Sequence, residues 1–185
     1  SADILRLFDA LPNQAGCDFT VRPGLLAAAI NEANAQVYES LNNAVYQAGF
    51  ARSQSAYEEA ALQVFEALDG LEERLASSRY YFGETLTETD LRLFPTLVRF
   101  DAVYYILFKC SLRRLLDSPN LWAYTRDLYG WRNVAGSVDF QAIRTASYLA
   151  DSREAAYTVG FIALWAVISI ACALTHYLAT SNPPS

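Results

Sequence analysis

Methionine is absent from the 185 residues, lysine and histidine occur once each, at Lys109 and His176, and there are only three cysteines. Each shortage removes a class of chemistry. With its one histidine near the C-terminus, the first 150 residues hold no Ser-His-Asp or Cys-His arrangement. Cys17, Cys110 and Cys172 are odd in number, far apart and without metal-ligand spacing, so neither a disulfide framework nor a metal site is expected. Basic residues number 14 against 20 acidic ones, for a net charge of -6, and no basic patch interrupts that balance. A nucleic-acid partner is therefore not expected. Without a methionine, Ser1 reads as a processed end, of the kind transit-peptide removal leaves, or as a cut in a longer chain.

What the sequence does have is helical periodicity. A short apolar helix over about 2–11 is followed by a loop rich in proline and glycine. Leu26, Ile30, Ala33, Val37, Leu41 and Val45 fall at spacings of three and four, which predicts one long amphipathic helix over 25–50. Ser55 with Glu58 predicts a capping box, and Ala61, Val64, Phe65, Leu68, Leu71 and Leu75 form the stripe of a second long helix. Thr87 with Asp90 predicts another cap, with Leu86 and Leu91 as a staple, opening a helix that runs to about Lys109 and is bent at Pro95. Further helices are expected after Ser118 and around 140–149. The fold class is all-α, with a helical domain over 1–150.

Several blocks resemble a known family: NNAVYQAGFA (42–51), YEEAALQVFEALDGLEERL (57–75), LTETDLRLFPTLVRFDAVY (86–104), FKC followed by LRR (108–114), and SPNLWAYTRDLYG (118–130). They are similar to the C-terminal helical domain of glutathionyl-hydroquinone reductases, the Xi class of glutathione transferases. The resemblance implies a helical bundle that is paired, in the family, with an N-terminal thioredoxin-like domain carrying the glutathione site and a nucleophilic Cys-Pro motif. No cysteine here precedes a proline, and Ser1 looks like a position just after such a domain. The resemblance further implies that tyrosines of the helical domain bind the quinone; Tyr46, Tyr104 and Tyr148 are the remnants of that pocket. Tyr105, Ile106 and Leu107 stand where the family has Val-Gly-His. Asp139 to Arg144, then Ala146, Ser147 and Tyr148, replace a run that carries two histidines and a further tyrosine in the family.

After a linker over 151–156 comes the stretch VGFIALWAVISIACALTHYLAT, free of Asp, Glu, Lys and Arg. About 20 apolar residues suffice to cross a bilayer core of roughly 30 Å. A transmembrane helix over 157–179 with a tail at 180–185 is therefore expected. Tyr157 and Tyr177 would sit at the two interfaces and Trp165 mid-span. Arg144 and Arg153 precede the span and nothing basic follows, which leaves the helical domain on the synthesis side. Ser169 with Ala173, and Ala171 with Thr175, are small-residue pairs suited to helix contact, and His176 is a candidate ligand for chlorophyll or haem.

Together these features predict a non-catalytic, membrane-anchored adaptor, a pseudoenzyme held in a large organellar complex. The expected setting is the stromal side of a plastid thylakoid, beside photosystem I and its antenna, with the mitochondrial inner membrane as the alternative. The expected partners are complex subunits and the bilayer, with chlorophyll, carotenoid or lipid touching the span and no glutathione bound. The competing reading is a membrane-held reductase or quinone-binding protein whose thioredoxin-like domain lies upstream or on another chain, with Tyr46 and Tyr104 lining a quinol pocket. A carrier that reuses the old pocket is a third.

Overall fold

The computed structural model describes residues 5, 6, 9, 20–131 and 133–147. The chain divides into two compact units, residues 1–140 and 141–185. In the second, residues 141–147 are helical. The expected span at 157–179, with Tyr157, Trp165, Ser169, Ala171, Ala173, Thr175, His176 and Tyr177, lies outside the described residues, as does Tyr148. Among the described residues no helix is long and apolar enough to cross a membrane.

Among its described residues the first unit is all-α, as the periodicity predicts. The long helix expected over 25–50 is present as α1 (Ala27–Val37), a π-helical turn (Tyr38–Asn42) and α2 (Ala44–Gly49). The π turn is closed by the Asn43 amide donating to the Tyr38 carbonyl at 2.8 Å. One extra residue in the turn rotates the face of α2 relative to α1, a device frequent at functional sites. Ile30, Ala33, Val37, Leu41, Ala44, Val45 and Ala48 are buried along this rod.

Helix α3 (Gln54–Leu75) packs on α2 through Ala60, Val64, Phe65, Leu68 and Leu71. Its cap is Ser53, not Ser55: the extended backbone at Ser53 lets its hydroxyl accept from the Ala56 amide at 3.2 Å. Glu58, the expected capping-box partner, instead accepts from Gln54 one turn back. After α3 the chain turns at Gly83, whose φ of +91° suits glycine alone.

Helix α4 (Glu88–Arg99) opens with the capping box that Thr87 and Asp90 predict. Asp90 is wholly buried and accepts from the Thr87 amide and hydroxyl, both at 2.8 Å, from the Tyr81 amide at 2.8 Å and from the Tyr124 hydroxyl at 2.7 Å. Beside it Glu88, 1% exposed, is ringed by Arg22, Arg92, Arg6 and the Asn34 amide. Two buried carboxylates at a helix N-terminus have the favourable end of the helix dipole and paired donors to offset their desolvation.

Pro95 lies inside α4, and the helix leaves regular geometry in a second π turn (Phe100–Tyr104), with the Tyr105 amide on the Phe100 carbonyl at 2.9 Å. The helix therefore stops short of Lys109. The Cys110 amide takes the Tyr104 carbonyl at 3.1 Å, and Lys109 adopts a left-handed φ of 58°.

Helix α5 (Pro119–Gly130) begins with proline at its first turn, where a missing N–H costs nothing. Glu72 of α3 accepts from the Asn120 and Leu121 amides at 2.9 and 2.7 Å and so caps α5 from outside. A short α6 (Val134–Ser137) follows Asn133, a residue type that tolerates its φ of 61°.

Asp90→Ala leaves two amides and two hydroxyls without their acceptor, so urea unfolding is expected to show a loss of about 3 kcal/mol or more. Tyr124→Phe removes one donor only and is expected to cost about 1–2 kcal/mol. Equal losses in the two variants would contradict the central role of this carboxylate.

Candidate functional site

The two π turns converge on one place. Asn42, the last residue of the first turn, donates to the Arg92 carbonyl at 3.2 Å and accepts from the Thr96 hydroxyl at 2.9 Å. This side chain ties the α1–α2 rod to α4 beside Pro95. Just beyond it, α2 presents Tyr46 and Phe50, and the second π turn and its exit present Tyr104 and Phe108.

These four rings form one cluster. Tyr46 meets Tyr104 and Phe108 edge-on at centroid distances of 5.8 and 5.4 Å, and Phe108 lies 5.4 Å from both Phe50 and Tyr104. Such tilted and edge-on arrangements satisfy the ring quadrupoles. The two tyrosine hydroxyls are 3.2 Å apart, within hydrogen-bond range. Tyr104 is 3% exposed at the back, whereas Tyr46 is 44% and Phe50 63% exposed at the front. Behind Tyr104 the aromatic chain continues into the core through Phe100 and Phe65. The outcome is an apolar, ring-lined face with the exposed Tyr46 at its front, suited to stacking on a planar aromatic molecule.

Phe108 owes its seat to Gly49. A Cβ at that position would stand 2.4 Å from the Phe108 ring, well inside contact distance. The turn that carries Phe108 is pinned by the Tyr57 hydroxyl, which donates to the Lys109 carbonyl at 2.6 Å. Neither Phe50, Phe108, Gly49 nor Asn42 stood out from helical spacing, because each matters through a contact between distant segments. The exposed aromatic residue at the end of an amphipathic helix was the available signal for Phe50.

The titratable groups are tuned away from nucleophilic chemistry. Burial, then the Tyr46 hydroxyl, pushes Tyr104 well above the ordinary tyrosine range, and burial pushes the Cys110 thiol up to about 11. Cys110 is a buried thiol with the Phe108 carbonyl at 3.9 Å, so it serves packing rather than attack. Among the described residues no group of His, Cys, Asp and Glu could hold a metal ion.

Helices arranged in this way, with a capped α4 at the centre, define a glutathione S-transferase C-terminal domain, and residues 54–127 match that domain. The chain is homologous to glutathionyl-hydroquinone reductases, the Xi-class glutathione transferases. It is 47% identical over 148 residues to the Escherichia coli glutathionyl-hydroquinone reductase YqjG, covering 78% of this chain and 44% of that protein. The glutathione-bound structure of YqjG superposes with a TM-score of 0.75 at 44% identity, over 80% of this chain and 48% of that one. Glutathione transferase Xi 1 from Trametes versicolor gives a TM-score of 0.75 at 39% identity, over 80% of this chain and 52% of that one. The chain thus spans about half the length of the relatives it matches.

These relatives correct the functional expectations. One is named a reductase and the other a glutathione transferase, against the expected non-enzyme, and the reductase is solved with glutathione, against the expected absence of that ligand. The adaptor in a photosynthetic complex, its complex-subunit partners, and the placement in a thylakoid or mitochondrial inner membrane are withdrawn with it. The physical reason lies in what drift at the pocket means. Tyr105, Ile106 and Leu107 depart from the family's pattern, yet the face built by Tyr46, Phe50, Tyr104 and Phe108 is closed and hydrogen-bonded. Substituted neighbours therefore do not amount to a lost pocket.

Gly49→Ala ordinarily favours a helix, so its expected sign here is diagnostic: displacement of Phe108 should destabilise the chain by about 1–3 kcal/mol and change the near-ultraviolet circular dichroism of the cluster. A more stable variant with an unchanged aromatic signal would refute the packing role of this glycine. The folded Cys110 thiol holds its proton to about 11 whereas an ordinary thiol loses it at 9.0, so unfolding is favoured progressively as pH rises from about 9 toward 11. Tyr104 and Tyr124, both raised chiefly by burial, act in the same direction. Stability by urea titration should therefore be level just below pH 9 and fall above it, and Cys110 should resist iodoacetamide in the native chain at neutral pH.

Proposed function

We propose that this chain is the aromatic-binding half of a glutathionyl-hydroquinone reductase-type enzyme, and that the cluster around Tyr46 holds the ring of the hydroquinone. The observation that carries the reading is the hydroxyl-to-hydroxyl pairing of an exposed tyrosine, Tyr46, with a buried one, Tyr104, on an aromatic face. Homology to reductases supports the reaction class.

In that reaction the helical half orients and the thioredoxin-like half reacts. A thiolate of the Cys-Pro type attacks the glutathionyl sulfur: an S–S bond forms, the S–C bond to the ring breaks, the ring carbon takes up a proton, and a second glutathione thiol then frees the thiolate as glutathione disulfide. None of the described side chains here replaces that thiolate, because Cys110 is buried and protonated at neutral pH. What this half contributes is position. Ring stacking on Tyr46, Phe50 and Phe108 fixes the plane of the substrate, and a hydrogen bond from Tyr46 fixes its rotation. Holding a reactant in one geometry lowers the entropic part of the barrier.

The test is a chimera in which these residues replace the matching half of the E. coli reductase. Glutathione-dependent reduction of a glutathionyl-hydroquinone is expected to persist, and Tyr46→Phe in the chimera is expected to lower kcat/KM about tenfold, as loss of one hydrogen bond to the substrate does. A folded chimera without activity, or one indifferent to Tyr46→Phe, would sink the reading.

A further inference from the structure

A recess opens between α4, the second π turn and α5, and its lining shares no residue with the ring face around Tyr46. Its volume is about 410 Å³, within the roughly 300–1,000 Å³ typical of small-molecule sites. The wall lies wholly in the first unit. Two polar side chains of that wall have spent their polar atoms on backbone. The Thr125 hydroxyl donates to the Leu121 carbonyl at 2.7 Å, and the Asp101 carboxylate accepts from the Leu115 and Leu116 amides at 2.6 and 3.2 Å. Most of the remaining wall is apolar or aromatic: Leu97, Val98 and Ala102 come from α4 and the π turn, and the rings of Trp122, Tyr129 and Phe140 from α5 and the residues beyond α6. The Tyr129 and Phe140 rings already touch, with centroids 6.1 Å apart.

The exception is Arg126. It lines the same recess from an exposed position on α5, and it pairs with no carboxylate among the described residues. Its neighbour Asp127 is engaged at both oxygens by Arg79, each at 3.0 Å. Asp101, the carboxylate of the wall, is committed to the 3₁₀ turn Leu115–Asp117. A recess walled by rings and aliphatic side chains thus carries one cation whose donors are unspent. A guanidinium presents its donors as a planar fork that matches a carboxylate with two parallel hydrogen bonds.

We propose that this recess is a second binding site, apart from the ring face around Tyr46, and that it takes a polycyclic aryl carboxylate: the fused rings lie among Trp122, Tyr129 and Phe140, and the carboxylate meets Arg126 at the rim. Three aromatic side chains in one wall favour a flat aromatic body over an alkyl chain, because ring pairs gain from edge and offset contacts beyond the area they bury. The two charges of the wall set the direction of entry. Asp101, on the π turn, repels an anionic group, and Arg126, on α5, attracts it, so the carboxylate has one side to which it can go. Because Arg126 is exposed, solvent screens its charge, and the preference for an anion over a neutral ring of the same shape is modest. The site does not depend on the ring-binding role of Tyr46.

The probe is 2-naphthoate, with 2-naphthamide as its uncharged counterpart, titrated calorimetrically into the full chain. At low salt the carboxylate is expected to bind about fivefold more tightly than the amide, and the difference should shrink as salt is raised. Arg126→Leu, at an exposed helix position where folding is not at stake, should bring the carboxylate down to the level of the amide while leaving the amide within about twofold. Arg126→Lys keeps the charge without the fork and should retain part of the preference. Ala102→Leu fills the recess and should weaken both ligands about tenfold or more, in a chain whose far-ultraviolet circular dichroism is unchanged. Phe50→Ala, on the ring face, should leave both affinities as they were. Binding that ignores Arg126→Leu and Ala102→Leu would overturn the proposal, as would an amide bound as tightly as the carboxylate by the unaltered chain. Loss of binding in Phe50→Ala would assign the probe to the ring face and overturn it as well. An inactive chimera leaves these titrations unchanged, so failure of the reductase reading and failure of this one are separate results.

Discussion

One carboxylate organises this domain. Asp90 takes hydrogen bonds from the start of its own helix, from the turn that precedes it and from α5, so two neighbouring segments and a third that lies 34 residues further on share a single acceptor. Desolvating a carboxylate is costly, and it is tolerable only where every lone pair finds a donor. The cost thereby becomes a constraint on geometry: α4 has one acceptable depth and one rotation. Glu88, two residues earlier, repeats the arrangement on the other side, where Arg22, Arg92 and Asn34 bring α1 and the preceding segment to the same helix end.

With α4 placed, the aromatic face follows from irregularity downstream. Pro95 and the π turn Phe100–Tyr104 rotate the end of that helix, and the π turn Tyr38–Asn42 rotates the end of the facing rod. Regular helices would carry Tyr46 and Tyr104 onward at 100° per residue, on faces fixed by the core stripe. An additional residue in each helix uncouples the functional face from that stripe. Asn42 joins the two deviations, since its amide bonds α4 at the level of Pro95. The site is thus built from two defects held in register by one side chain, and the ordinary helical residues around it supply rigidity.

Much of the fold was legible in the residues because helical periodicity is local. The stripe Ile30, Ala33, Val37, Leu41 and Val45 is buried as its spacing requires, and Thr87 and Asp90 announce their cap without help from elsewhere. Ser55 misled because a serine two residues upstream fits the cap equally well and the backbone is extended there instead. The site was legible in part. Tyr46 and Tyr104 were identified by resemblance, but their contact depends on π turns that leave no periodic trace, and Phe108 depends on the absence of a Cβ at Gly49. The functional expectation failed for a related reason: replacement of individual family residues, such as Leu107 for a histidine, was weighed as loss, although a ring-lined face depends on packing and tolerates change among its polar neighbours.

The distribution of polarity in the cluster explains why such tolerance is available. A site that recognises a ring by stacking draws most of its affinity from area and shape, and a planar ligand has few hydrogen-bonding atoms to satisfy. Orientation then falls to a single donor. Of the two tyrosines on the four-ring face, Tyr46 is the exposed one, and its partner Tyr104 is buried beneath it in ring contact with Phe100 and Phe108. Shielding the partner keeps water from competing for the bond between them, so the orientation of Tyr46 is inherited from the core. Through Phe100 and Phe65 that core is the same one in which α3 and α4 meet, and the helix whose depth Asp90 sets is the helix that ends in Tyr104. The buried carboxylate at one end of α4 and the buried Tyr104 beyond the other therefore lie on one continuous stretch of chain, and Tyr46 of α2 meets that stretch through its hydroxyl.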